Sequence, residues 1–182
     1  MLMYLFRKNV ITDIIESRDD WLIFGTVQFG RVTSVNYAID IFYKLVRSIE
    51  KKSGSVWLLK LEGDNITRNI HIHFIISQDG LRASGAKSNL FMLKSKFSAL
   101  KKEFLSLNRA SVKFEEYDKR KAGAFYLSKV EVEVLNRTPS YFDYAEDGLC
   151  VKMSGKLKRR YKEYNSDRPI LKCLDLIFKQ LV

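Results

Sequence analysis

In Arg68-Asn69-Ile70-His71-Ile72-His73-Phe74-Ile75-Ile76-Ser77, branched and aromatic residues are interleaved with the only two histidines of the chain. Alternation of this kind predicts a β-strand, in which residues i and i+2 project to the same face. Ile70, Ile72, Phe74 and Ile76 then make one apolar face, and His71 and His73 share the other. A strand with such a face must be covered on that side by another layer. Two imidazoles on the opposite side are a bidentate start for a divalent metal site, which needs one or two further ligands to be complete.

The remaining elements follow from similar patterns. Trp21 to Phe29 reads as a strand bounded by Gly30. Ser34 is suited to cap a helix in which Val35, Ala38, Ile39, Phe42, Leu45, Val46 and Ile49 recur at helical spacing. Lys51-Lys52 are expected to complement its C-terminal dipole, and Gly54 to end it. Val56 to Glu62 predicts a second strand, joined through Gly63-Asp64-Asn65 to the histidine strand as an antiparallel hairpin. After Asp79-Gly80 a helix is expected from Ser88 to Phe104, then a strand from Ser111 to Tyr117. A third helix beginning near Arg120 carries Tyr126 and Lys129.

The order β-α-β-β-α-β-α predicts an α+β sandwich. Its central antiparallel sheet has helices on one face and leaves the other free for chemistry. Residues 1–20 read as an N-terminal segment, helical around Val10 to Ile15. Residues 21–135 read as the domain, and 136–182 as a basic C-terminal extension.

The chain has 182 residues, 46% of them hydrophobic and 13% aromatic, enough for one packed core. Its net charge of +11 favours a polyanionic partner, nucleic acid before membrane. Lys156, Lys158, Arg159, Arg160 and Lys162, interleaved with Tyr161 and Tyr164, form a candidate non-specific nucleic-acid contact. Cys150 and Cys173 make no C-x-x-C pair, which fits a reducing cytosol. No apolar run approaches the roughly 20 residues of a membrane span. Met1 to Phe6 is apolar but lacks a small-residue cleavage site, so no signal peptide is expected.

A third metal ligand is available in Glu62. Its parity groups it with Val56, Leu58 and Lys60, opposite Trp57, Leu59 and Leu61. If the more apolar set faces the helices, Glu62 lies on the side of the histidines. Two imidazoles and a carboxylate suit Mn²⁺ or Mg²⁺, with positions left for phosphate oxygens. Tyr126 and Lys129, at i and i+3, share one face of their helix. A phenol attacking a phosphodiester needs its proton removed and the developing charge offset nearby.

An H-x-H strand followed by a Y-x-x-K helix, in this element order, resembles the HUH endonucleases. Within them it is similar to the rolling-circle replication initiators (Rep proteins) of small plasmids and single-stranded DNA phages and viruses. The likeness covers about residues 21–135. It rests on Phe24-Gly25-Thr26-Val27-Gln28-Phe29, Leu59-Lys60-Leu61-Glu62, His71 and His73, and Tyr126-Leu127-Ser128-Lys129. It implies that Tyr126 is the nucleophile, that Glu62, His71 and His73 hold the metal, and that Lys129 assists. The implied reaction nicks single-stranded DNA or an extruded origin hairpin, leaving a 5′-phosphotyrosine and a free 3′-OH. The implied setting is the cytoplasm of a bacterial or archaeal host, with a host replication helicase as a further partner.

The chain departs from the family pattern in three places. Thr67-Arg68-Asn69 stands where many relatives have a Gly/Pro turn, which bears on the geometry of Glu62. Lys129-Val130-Glu131 lacks a second tyrosine, and no Walker-type motif follows. Rival readings are an HUH transposase or relaxase, which share the chemistry, and a non-catalytic nucleic-acid-binding module. A module of the RNA-recognition type would need exposed aromatics on its central strands.

Overall fold

The computed structural model describes residues 14–30, 33–63, 70–120 and 151–159, with the backbone alone at Glu62, Gly63, Val151 and Lys152. Its elements are β1 (Trp21–Gln28), α1 (Val35–Ile49), β2 (Trp57–Gly63), β3 (Ile70–Ser77), α2 (Ala86–Glu103), β4 (Ser111–Glu116) and β5 (Val151–Met153). The expected order thus holds from the first strand through β4. The helix expected to carry Tyr126 and Lys129 lies outside the described residues.

The five strands are arranged β4-β1-β3-β2-β5, and every neighbouring pair is antiparallel. β3 therefore lies between β1 and β2, which run parallel to each other and are linked through α1, a split β-α-β arrangement. The fold is α+β, with α1 and α2 packed together on one face of the sheet.

The alternation in β3 sets this layering. Ile70, Ile72, Phe74 and Ile76 join Trp57, Leu59 and Leu61 of β2 under the helices, where they meet Phe42, Leu45, Leu93 and Phe97. The Ser34 side chain accepts a hydrogen bond from the Tyr37 backbone N–H, capping α1 as its sequence suggests. The helix stops at Ile49, before Lys51-Lys52 and Gly54. Glu50 leaves helical geometry to bridge Leu81, and its carboxylate accepts bonds from the Ser55 N–H and hydroxyl.

Gly25 of β1 pairs with Phe74 on β3. A β-carbon at Gly25 would overlap the Phe74 ring, so glycine is what lets that ring lie across β1. Phe74 in turn meets Phe42 and Phe114, with ring centroids 5.1 and 5.9 Å away.

The second face of the sheet carries packing of its own. A smaller core of Ile14, Ile15, Trp21, Val56, Leu58, Ile75 and Leu157 covers one end of it, with Phe24 and Met153 packed alongside. Plain alternation would put Trp21 and Ile23 on the same face. A register irregularity between them instead pairs Trp21 with Ser77 and Ile23 with Ile76. Trp21 thereby enters the second core, where its indole N–H donates to the Ile15 carbonyl at 2.9 Å. The segments expected to flank the domain thus contribute to it: Ile14 and Ile15 from one side, β5 and Leu157 from the other.

Asp20 fastens this end. Arg18 donates to both its carboxylate oxygens, at 2.9 and 2.6 Å, and the Ser77 hydroxyl donates to it as well. Burial works to raise the pKa of Asp20, but the hydrogen bonds from Arg18 and Ser77 and the Arg18 charge outweigh it and hold the carboxyl below its ordinary value. A depressed folded pKa contributes stability that is present above the unfolded value and lost as pH falls through the folded one. Asp20→Asn is therefore expected to lower the urea midpoint near neutrality and to flatten its fall on the acid side. Parallel midpoint-against-pH curves for the two proteins would contradict this role.

Candidate functional site

The other end of the second face carries both histidines. Two rows of register-paired residues cross the sheet there. The first runs Ser111, Gln28, His71, Glu62, and the second Lys113, Thr26, His73, Lys60. Residues directly opposite one another in antiparallel strands share a face. The parity argument for Glu62 therefore agrees with the backbone register, which sets it opposite His71 with Trp57, Leu59 and Leu61 on the helix side.

His73 is the better-defined imidazole. Its ring stacks on Phe24, with centroids 6.4 Å apart and planes 23° apart. Its Nδ1 lies 3.0 Å from the Thr26 hydroxyl oxygen. With Nδ1–H donating to that oxygen, the ring is in the tautomer whose Nε2 carries no proton, the arrangement by which an outer hydrogen bond fixes tautomer and ring direction. Both histidines are partly buried and have neighbours on each flank, so neither is a loose surface side chain.

Among the described residues no group of three or more His, Cys, Asp or Glu side chains is placed to hold a metal ion. The described donors are thus the two imidazoles, and Glu62 enters through its register position alone. Two same-face imidazoles, one oriented by a hydroxyl, fit a divalent cation that takes a carboxylate and phosphate oxygens as its other ligands. Thr26→Val removes the hydroxyl with little change in volume. With Mn²⁺ as the candidate ion, the expected effect is about 10–100-fold weaker binding, as outer-sphere changes give, and titration of Mn²⁺ into the two proteins measures whether it binds and by how much the change weakens it. Equal affinities would leave Thr26 a packing residue.

Two features of this site are not evident from motif spacing. Thr26 lies in the matched strand, but its partnership with His73 depends on the β1–β3 register. Lys60 is opposite His73 and only 4% exposed, so an ammonium group is held on the histidine face. The alternation of β2 does place Lys60 beside Glu62; the burial comes from tertiary packing.

Of the proposed nucleic-acid contacts, Lys156, Lys158 and Arg159 lie on the helical residues 155–159 that follow β5. Lys158 and Arg159 are exposed, whereas Lys156 is drawn toward Asp79, at 3.8 Å. Leu157 of the same turn is buried in the second core, so these cations sit on an anchored element. Arg160 and Lys162, like Tyr126 and Lys129, lie outside the described residues.

No helix among the described residues is long and apolar enough to cross a membrane. Comparison with protein-family models, with curated proteins and with solved structures finds no match to this chain.

Proposed function

We propose that the protein is a nicking and strand-joining enzyme of the HUH type, acting on single-stranded DNA in the manner of a rolling-circle replication initiator. The observation that carries this reading is that His71 and His73 share the sheet face opposite α1 and α2, with Glu62 in register opposite His71. A divalent cation, Mn²⁺ or Mg²⁺, held by these three residues would supply positive charge to a scissile phosphate.

The chain's own part is nucleophilic. Tyr126 gives up its phenolic proton and its oxygen attacks phosphorus, while the 3′ oxygen leaves and takes up a proton. The products are a 5′-phosphotyrosine and a free 3′-OH. Lys129, one turn along in the sequence pattern, offsets charge on the transferring phosphate. Reversal by a later 3′-OH rejoins strands without an energy source, because one phosphodiester is exchanged for another.

The partial cover over the second face favours this reading over a binding module. A base-stacking platform would set exposed aromatics on its central strands, whereas on this face Phe24 stacks on His73 and Ile75 is buried with Ile14, Ile15 and Leu157. The test is to incubate a pool of labelled single-stranded oligonucleotides with the protein and Mn²⁺. Cleavage that stops with chelator and leaves a 3′ end extendable by a polymerase is expected. Binding without cutting, across sequences and both metals, would put the binding module in front.

A further inference from the structure

We propose that the outward face of α2 is a second anchoring surface for single-stranded nucleic acid, on the side of the sheet away from His71 and His73. Between Leu81 and Phe114 eight Lys and Arg residues stand against a single acid, Glu103. α2 buries Ala86, Asn89, Leu93, Phe97 and Leu100 toward the sheet. Its opposite stripe exposes Lys87, Phe91, Lys94, Ser98 and Lys102 and continues into Leu105.

Phe91 is 74% exposed and Leu105 81%, the two large hydrophobics left in solvent among the described residues. A face that served solubility alone would mix charges of both signs and would not carry an exposed ring. At 1.5 Å per residue, Lys87 to Lys102 spans about 22 Å, room for several phosphates of a strand. Lys87, Lys94 and Lys102 form no ion pair with another described residue. Lys101, by contrast, donates to the Ala110 carbonyl at 3.0 Å and lies near the Phe97 ring, a structural role.

Ammonium groups along one face follow a sugar-phosphate backbone, and an exposed aromatic among them stacks on a base. Stacking requires a base that is not already sandwiched in a duplex, so the occupant is an unpaired strand. The inference rests on the proposed function only for the choice of nucleic acid. Binding is read with chelator present, so loss of cleavage and loss of this surface are separate results.

The experiment measures fluorescence anisotropy of a labelled oligo(dT) of about 30 nucleotides, titrated with the full chain from about 50 to 200 mM salt. Lys87→Glu, Lys94→Glu and Lys102→Glu combined should weaken binding at least about tenfold. They should also flatten the slope of log K against log salt by about 2, three contacts at roughly 0.7 each. Phe91→Ala should weaken oligo(dT) binding about fivefold or more with the slope unchanged, and leave duplex binding as it was. All four side chains are exposed, and an unchanged thermal midpoint serves as the control for folding. The proposal is overturned by wild-type affinity and slope in the triple variant, by a Phe91→Ala effect equal on duplex, or by a face that prefers anionic vesicles to the oligonucleotide.

Discussion

Replacing His71 and His73 together by alanine is expected to lower metal-dependent cleavage of single-stranded DNA by about 10²–10³-fold while the protein stays folded. A bound cation supplies several kcal/mol of charge stabilisation to a phosphoryl group in the transition state, at about 1.4 kcal/mol per tenfold in rate. On the proposed reading His71 and His73 hold that cation, and the contribution goes with them. The fold should tolerate the change because the apolar side of β3, Ile70, Ile72, Phe74 and Ile76, is untouched. Among the contacts described for His73, the stack on Phe24 and the bond to Thr26 are lost, at about 1 kcal/mol. Cleavage rates and urea midpoints measured on the same preparations separate the two effects. Rates within threefold of the parent protein would remove the histidines from the chemistry.

The largest effect on stability is expected at Phe74. Phe74→Ala should cost about 3–5 kcal/mol, the usual range for deleting a fully buried aromatic. The ring is 0% exposed and lies at the meeting point of Phe42 from α1, Phe114 from β4 and the bare backbone of Gly25. Little can collapse into the space, because the sheet backbone on one side and the helix on the other are held by their own hydrogen bonds. Filling from the other side should fail too: Gly25→Val would push a branched side chain into the ring, with about 1–3 kcal/mol lost to overpacking. Urea unfolding of the three proteins gives these values. A cost below about 1 kcal/mol for Phe74→Ala would mean that the core repacks freely around β3.

How much of this was legible in the sequence depended on whether a feature is set by neighbours along the chain or across it. The type and order of the elements from β1 to β4, the cap at Ser34 and the helix-facing set of β3 follow from local periodicity, which a single strong apolar face makes hard to misread. The exit from α1 at Ile49 was misplaced, because Lys51-Lys52 and Gly54 suit a helix end while the bridge from Glu50 to Leu81 fixes it earlier. The face change between Trp21 and Ile23 depends on a register irregularity that alternation cannot show. The cover over Ile75 comes from Ile14, Ile15 and Leu157, far from it in sequence, so the second face looked more open than it is.

At the candidate site, the shared face of His71 and His73 was readable from spacing two. The place of Glu62 opposite His71 required the hairpin register. The burial of Lys60 had no signal beyond its parity. In α2 the lysines are plain in the sequence, but Phe91 looks like any other apolar helix residue until the exposed stripe is seen.

The most direct measurement is the intact mass of the protein after incubation with a single-stranded oligonucleotide that it cleaves and Mn²⁺, followed by peptide mapping. A covalent adduct carrying the 3′ part of the oligonucleotide on Tyr126, absent in Tyr126→Phe and with chelator, is the expected result. An adduct that persists in Tyr126→Phe, or cleavage with no adduct at all, would contradict a tyrosine-nucleophile nicking enzyme built on this histidine face.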